Sequence, residues 1–405
     1  MTASNLDNWL VSSLQNSSVV RKPFSEALSL LTVVIPCYGR QDFLLRQCVY
    51  WHGSGVAVVI VDGSALPLGE CVQQTLSGLR DITYLYSATS VMDRLKQASE
   101  HIHTRYAILL GDDEFLLLTG LCSAIAKLEQ DPALVACIGQ SIAFYPSGDG
   151  GSCRYGTGYP HWRYSVRNDD IQARLNASMS DYTAATCYAV LRTPVWRKSW
   201  GQQENWSSPY TGEIQQALTT YIWGKLTTVD EVYWMRSSEN RPVNNKGFNR
   251  GLSFQEWWAS PIFKTEHDRF IAILSGELVS VQHMTPVKAE AIIREAVDVF
   301  ITHMSEVDRG NVGPLTSRKA IVRHLRATAV KVLKRLLPQQ LLEHLKSAVF
   351  RFRSAPGKGN LGTLAELKQM TTPSLFVMDD VLAEELSAME ALIASFYAAR
   401  RCQAT

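Results

Sequence analysis

The stretch "LTVVIPCYGRQDFLLRQCVYWHGSGVAVVIVDGS", residues 31–64, decides how the chain folds. Its opening "LTVVIP" (31–36) is a β-branched apolar run closed by proline, which reads as a strand ending where the ladder loses a donor. "DFLLRQCVYWH" (42–52) then carries apolar side chains at helical spacing, and "VAVVIV" (56–61) returns to a short apolar run. The pattern continues with "ITYLY" (82–86) and "YAILL" (106–110) as third and fourth strands, separated by helical segments near 70–79 and 90–103. Strands this apolar are covered on both faces. The expected class is therefore α/β, a Rossmann-like, mostly parallel sheet flanked by helices.

In such sheets ligands sit just beyond the carboxyl ends of the strands. The residues there are "CYGRQD", "DGS", "SATSVMD" and "GDDE", and every one of these segments carries an aspartate. The fourth places Asp112, Asp113 and Glu114 side by side between two apolar runs. Two readings stand. The acids belong to a solvated loop, or they face a ligand across a hard divalent cation that offsets their mutual repulsion. Oxygen donors without His or Cys nearby favour magnesium or manganese over zinc, and such an ion commonly bridges to the phosphates of a nucleotide. Other phosphate cradles are missing from the sequence. No G-x-G-x-x-G follows a strand, no G-x-x-x-x-G-K-[ST] occurs, and "GTGYPH" (156–161) fails the dinucleotide pattern at its last glycine.

A chain of 405 residues exceeds one ordinary core and suggests two or three domains. Apolar residues at 46% and charged ones at 19% describe a globular protein, and the net charge of +2 says little by itself. No apolar run approaches the ~18–20 residues of a membrane span, and "MTASNLDNWLVSSLQNSS" lacks the basic and apolar regions of a signal peptide, so a cytoplasmic protein is expected. The eight cysteines form no C-x-x-C pair, and Cys37, Cys122, Cys137 and Cys187 fall within apolar segments; reduced, buried thiols are expected rather than a disulfide framework or a zinc site.

The segment 140–260 is richer in aromatic, glycine and polar residues, with a strand at "YAVLR" (188–192), a helix at "GEIQQALTTYIWGK" (212–225) and a strand at "VDEVYWMR" (229–236). Beyond about residue 260 the pattern is helical, with a break at 353–362. From Arg318 to Lys358 eleven Lys or Arg face a single acid, Glu343. Val322, Leu325, Ala329, Val332, Leu333 and Leu336 make one helical stripe there, and Lys319, Arg323, Arg326, Lys331 and Lys334 lie opposite. Such a helix reads either as a membrane-surface anchor over 316–358 or as a helix packed on the rest of the chain with a solvated basic face. Nucleic acid is not expected, because no binding motif accompanies the charge.

Taken in order, these motifs resemble the family-two glycosyltransferases. "LTVVIPCYGRQDFLLRQCVYW" is similar to their opening "VVIPTYNR…L…L", "VVIVDGSA" to their "VVDDGS", and "YAILLGDDEF" to their acid motif, in the form of a bacterial subgroup with "DDD" followed by Phe. The resemblance covers roughly residues 31–240. It implies a GT-A-type fold followed by a mainly α-helical C-terminal region. It also implies a metal-dependent, inverting transfer of sugar from a nucleotide sugar, a UDP-sugar in the first instance, to a glycan or lipid-linked glycan in bacterial surface polysaccharide synthesis. Carried over by position, it sets Pro36, Tyr38 and Arg40 at the nucleotide, Asp62 at the base and Asp93 near base or ribose. Asp112 falls at the donor or its metal, and Asp113 and Glu114 at a Mn²⁺ or Mg²⁺ ion. Glu114 stands where the usual third Asp would be, which leaves open which two acids hold the ion. "GEIQQALTTYIWGKLTTVDEVYWMRSSEN" is similar to the family's "ED…L…G…VYYR" segment, which makes Glu213 the general base and sets Arg236 near the diphosphate, with Ile214 in place of a common Asp.

The expected organisation is an N-terminal helical extension (1–30), a catalytic domain (31–260) with a nucleotide-sugar half (31–140) and an acceptor half (141–260), and a helical region with basic amphipathic helices (261–405). Placement at the inner face of the cytoplasmic membrane would suit a lipid-linked acceptor. Two rival readings are a sugar-phosphate nucleotidyltransferase, which lacks here its glycine-rich basic loop, and a non-catalytic binder of sugar nucleotide or glycan.

Overall fold

The computed structural model describes residues 5–15, 26–148, 150–159, 164–240, 252–309, 360–368, 376 and 378–402. The basic segment 316–358 and Trp162 lie outside the described residues.

In chain order the elements are α1 (Asn5–Gln15), β1 (Leu31–Cys37), α2 (Gln41–Trp51), β2 (Ala57–Asp62), α3 (Glu70–Ser77), β3 (Ile82–Tyr86), α4 (Val91–Glu100), β4 (Tyr106–Leu109) and β5 (Phe115–Leu116). They continue with α5 (Leu118–Gln130), β6 (Leu134–Pro146), β7 (Cys153–Thr157), α6 (Ile171–Ser180), β8 (Val190–Arg192), α7 (Thr193–Ser199), α8 (Pro209–Trp223) and β9 (Lys225–Ser237). The remainder is helical apart from one short strand: α9 (Phe254–Ala259), α10 (Lys264–Gln282), α11 (Pro286–Arg309), β10 (Asn360–Gly362), α12 (Leu364–Lys368) and α13 (Asp380–Arg401).

The strands form one mixed ten-stranded sheet in the order β10-β7-β6-β8-β4-β1-β2-β3, with β9 paired to both β5 and β6. Its first four strands in sequence are parallel neighbours, and their register is even: Cys37 pairs Asp62, and Asp62 pairs Tyr86. The loops that follow them therefore emerge side by side along one edge. Their uniformly apolar composition has the expected result, since Val33, Val34, Ile35, Ile60 and Ile108 are fully or almost fully buried. The long strand β6 and the strand β7 go beyond what the sequence pattern led us to expect, although "LVACIGQSIAFY" carries the apolar composition of a buried strand.

Strand β9 fixes the exit of the acidic turn. Phe115 pairs Met235 and Leu116 pairs Trp234, so the two residues of β5 are held against β9 immediately after Glu114. Helix α5 then lies so close to β9 that Gly120 has no room for a side chain: a Cβ there would fall 2.4 Å from the Val232 carbonyl and 2.4 Å from Tyr233 Cβ. Helices α1, α2 and α13 form a layer in which Trp9, Phe43 and Phe396 stack edge to face or tilted. Helices α6, α7, α8, α10 and α11 associate separately, with Phe254, Trp257 and Phe270 in one aromatic cluster. All eight cysteines are free, and Cys37, Cys48, Cys137, Cys153 and Cys187 are buried. Among the described residues no helix is long and apolar enough to cross a membrane.

The close approach of α5 to β9 gives the first prediction. Gly120→Ala should lower the unfolding free energy by about 1–3 kcal/mol through overpacking, whereas Gln130→Ala on the exposed end of the same helix should be near neutral; urea denaturation compares the two.

Candidate active site

The acidic turn is held from behind by one helix. Three side chains of α2, at adjacent and one-turn spacing, donate to its carbonyls: Arg46 Nη2 to Asp113 (2.9 Å), Gln47 Nε2 to Asp112 (3.1 Å) and Glu114 (2.6 Å), and Tyr50 Oη to Leu116 (2.7 Å). With the backbone fixed in this way, the direction of each acid side chain is set. Arg46 is wholly buried and also forms a two-pronged ion pair with Glu239, at 2.8 Å on both prongs. Its guanidinium lies 4.7, 4.8 and 5.2 Å from the ring centroids of Phe43, Phe115 and Phe396. Tyr397 Oη donates to Glu239 at 2.9 Å, so α13 closes the assembly.

The three acids go separate ways. Asp112 and Asp113 share Arg40: its Nε donates to Asp112 Oδ2 and its Nη1 to Asp113 Oδ2, each at 3.1 Å, and its Nη2 pairs with Asp112 Oδ1. Asn240 Nδ2 adds a bond to Asp113 at 2.8 Å. Burial pushes the Asp112 carboxyl up, to about 7, against the pull of Arg40. Glu114 points inward, where its Oε2 accepts from Trp234 Nε1 at 3.0 Å. Burial and then the neighbouring Asp113 charge raise its carboxyl to about 8. All three acids are buried, and they divide by partner: two carboxylates on Arg40 and one on the Trp234 indole.

Asp62 lies at the carboxyl end of β2. It is fully buried; its Oδ1 accepts from the Ser64 backbone N–H (2.9 Å), and its Oδ2 accepts from Gln41 Nε2 (2.6 Å) and Tyr84 Oη (2.9 Å). Both oxygens are engaged, so Asp62 orders Gln41, Ser64 and Tyr84 around it. Asp93 likewise serves structure: at the third position of α4 it accepts from the N-cap Ser90 Oγ (2.6 Å) and from Asn205 (3.3 Å). The adjacent residue matters more to the site. Arg94 is buried and donates to the Cys37 carbonyl and to the Val61 carbonyl (3.1 Å), tying the ends of β1 and β2 together. Gly63 must be glycine for this contact, because a Cβ would lie 2.5 Å from Arg94 Cζ. Pro36 sits in β1 opposite Val61, and Tyr38 just after it is 62% exposed.

Glu213 lies one turn into α8, which begins at Pro209, so helix-end electrostatics do not account for it. Burial alone raises its carboxyl to about 7. Its charge bears on Tyr159 and Tyr188, as does that of Glu114, and Arg236 bears on both Tyr159 and Glu114. Trp234 is sandwiched between the Tyr188 and Tyr159 rings, with centroids at 4.1 and 5.4 Å, and the Arg236 guanidinium stands 4.8 Å from the Tyr159 ring. Glu114, Glu213, Arg236, Tyr159, Tyr188 and Trp234 are therefore one cluster, assembled from five separate segments. Tyr164, Trp196 and Trp200 are core residues, and Trp206 donates to Gln215 at 2.8 Å.

Hard oxygen donors at Asp112 and Asp113 suit magnesium or manganese. Among the described residues no three His, Cys, Asp or Glu side chains gather as a metal cage. A two-carboxylate site is the form in which magnesium usually meets a nucleotide, with phosphate oxygens and water completing the shell. Glu114 Oε2 is bonded to Trp234 Nε1 instead of Arg40.

No protein-family model matches the chain, and no curated protein matches it. Solved structures similar to it include TarS 1-349 of S. aureus, at 10% identity and a TM-score of 0.39 over 69% of this chain and 91% of that one. The same TarS fragment in complex with UDP-GlcNAc is similar at 11% identity and a TM-score of 0.40, over 69% and 92%. A mannosyltransferase of Pyrobaculum calidifontis in complex with GDP-Man and Mn²⁺ is similar at 15% identity and a TM-score of 0.36, over 85% and 93%.

Two stability measurements check this geometry. Arg46→Met should cost about 3–5 kcal/mol in chemical denaturation, because it strands the buried Glu239 charge, and the double variant Arg46→Met with Glu239→Gln should recover much of the loss. Glu114, with its carboxyl raised from 4.5 to about 8, binds a proton more tightly when folded, so its contribution is complete at low pH and is lost as pH rises through that interval. Unfolding free energy measured from pH 5 to 8 should fall less steeply in Glu114→Gln than in the wild type.

Proposed function

We propose that the protein is an inverting glycosyltransferase of GT-A type that moves a sugar from a nucleotide-sugar donor to a hydroxyl of a glycan or lipid-linked glycan. The observation that carries this reading is the Asp112–Asp113–Arg40 set at the carboxyl ends of β1 and β4, next to a second cluster in which Arg236 acts on Glu114 and, with Glu213, on Tyr159. The first set offers paired charges of both signs for a diphosphate. The second offers the buried carboxylate of Glu213, which has no ion-pair partner among the described residues, beside the Tyr159 and Tyr188 rings.

In this reading residues 31–140 bind the donor and 141–260 meet the acceptor. Asp112 and Asp113 would hold Mn²⁺ or Mg²⁺, which when bound neutralises charge on the leaving diphosphate. Arg40 lies on those same carboxylates and supplies a positive charge at the diphosphate, and Arg236 a second. Glu213 takes the proton from the acceptor hydroxyl as that oxygen attacks the anomeric carbon and the bond to the diphosphate breaks. A carboxyl raised to about 7 by burial is a stronger base than an exposed one while still ionised near neutrality. A single displacement inverts configuration. Trp234, stacked on Tyr188 and Tyr159 and bonded to Glu114, joins the acidic turn to the second cluster.

Release of nucleoside diphosphate from a panel of nucleotide sugars with Mn²⁺ or Mg²⁺ tests the reading. Wild type should release it with metal, Asp113→Asn should lose metal-dependent release, and Glu213→Gln should bind donor but turn over about 10²–10⁴-fold more slowly. Binding without release by the wild type would leave a non-catalytic sugar-nucleotide binder. Because the ionised form of Glu213 is the active one, kcat/KM should rise about tenfold per pH unit below about 7 and level off above it.

A further inference from the structure

The side chain of Gln41, at the start of α2, is oriented by acceptors alone. Its Nε2 donates to Asp62 Oδ2 at 2.6 Å and to the Leu66 carbonyl at 2.8 Å. An amide presents two hydrogens on one end and lone pairs on the other, so two acceptors on the nitrogen side leave its orientation no choice. The carbonyl oxygen Oε1 therefore faces away from Asp62. Gln41 is only half-buried, and among the described residues its side-chain bonds run through Nε2 alone, which leaves Oε1 with its acceptor capacity intact.

The loops beside Gln41 carry exposed apolar side chains and are tied to one another. Tyr38, Leu66 and Tyr86 are 62%, 75% and 37% exposed, a concentration of large apolar side chains around a buried carboxylate. Gly39 N–H donates to Ser64 Oγ at 3.0 Å, and Tyr86 Oη donates to the Ala65 carbonyl at 3.2 Å, which joins the three loops into one surface. On the other side of Gln41, the adjacent Arg40 carries charge to Asp112 and Asp113. A ligand laid across this edge would have a planar apolar end at the tyrosines and a charged end at Arg40.

We propose that Gln41 is the residue that selects the base of the donor, its Oε1 accepting the ring imide N–H of uracil (N3–H) or guanine (N1–H). The corresponding ring nitrogen of cytosine or adenine carries no hydrogen and would set a lone pair against a lone pair. Asp62 is a positioning residue that holds Gln41 in the accepting orientation, and stacking on an exposed tyrosine holds the base without regard to its identity. The inference rests on the donor reading above and adds which nucleotides satisfy it.

Calorimetric titration of the full chain with UDP, CDP, GDP and ADP tests the proposal. Wild type should prefer UDP over CDP, or GDP over ADP, by roughly tenfold or more, the ratio that follows from one unmatched hydrogen bond; which pair is discriminated tells pyrimidine from purine. Gln41→Met, similar in length but without an acceptor, should bring that ratio below about threefold. Asp62→Asn offers an N–H to Gln41, turns its amide over and should narrow or reverse the same ratio while a structural defect would weaken all four nucleotides alike. Discrimination that survives in both variants, or equal binding of all four nucleotides by the wild type, would overturn the assignment of Gln41 alone. Failure of any nucleotide to bind the wild type would overturn it together with the donor reading.

Discussion

A guanidinium inside a core is the constraint on which the rest of this structure depends. Arg46 is wholly removed from water, and a charge in that position is tolerable only when every neighbour contributes. Glu239 supplies the countercharge, the Asp113 carbonyl an acceptor, and Phe43, Phe115 and Phe396 the ring faces. These groups come from α2, the acidic turn, the segment after β9 and α13. None of them can move far without exposing or stranding the charge, and so the turn inherits rigidity from parts of the chain far away in sequence.

That rigidity answers why three acids can sit next to each other. The backbone carbonyls of Asp112, Asp113 and Glu114 are all taken by Arg46 and Gln47, which settles the turn before the carboxylates interact. The side chains then diverge. Two find Arg40, and the third finds an indole N–H, where burial favours its protonated form. Repulsion in the triplet is relieved by direction as much as by countercharge.

The sheet and the position of the site were legible because both depend on local patterns. Short β-branched runs alternating with helical spacing gave the parallel strands, and the end of a parallel strand is where polar residues face a ligand. What escaped is long-range. Arg46 and Gln47 stand in a helix read as apolar, and only the later elements reveal that both are buried and bonded to the turn. A charged residue flanked by Phe43, Leu44, Leu45 and Cys48 was the one available signal. Asp62 and Asp93 were identified as acids at strand ends, but their roles depend on Gln41, Tyr84, Ser90 and Asn205, whose approach no spacing encodes. Glu213 was set at a helix start because its helix begins at Pro209, before the first apolar residues of the stripe.

The layer formed by α1, α2 and α13 joins the first described helix to the last, with Asn5 Nδ2 bonded to the Cys402 carbonyl at 2.7 Å and Trp9 against Phe396. During synthesis the strands of the parallel half emerge from the ribosome well before residues 380–401, so Arg46 must wait for Phe396 and Tyr397 before its surroundings are complete. A growing chain thus carries its acidic turn in an unfinished setting until translation has passed α13. Completion of the turn is in this sense timed by the length of the message, and ribosomes stalled before that point would display a sheet without a settled acidic turn.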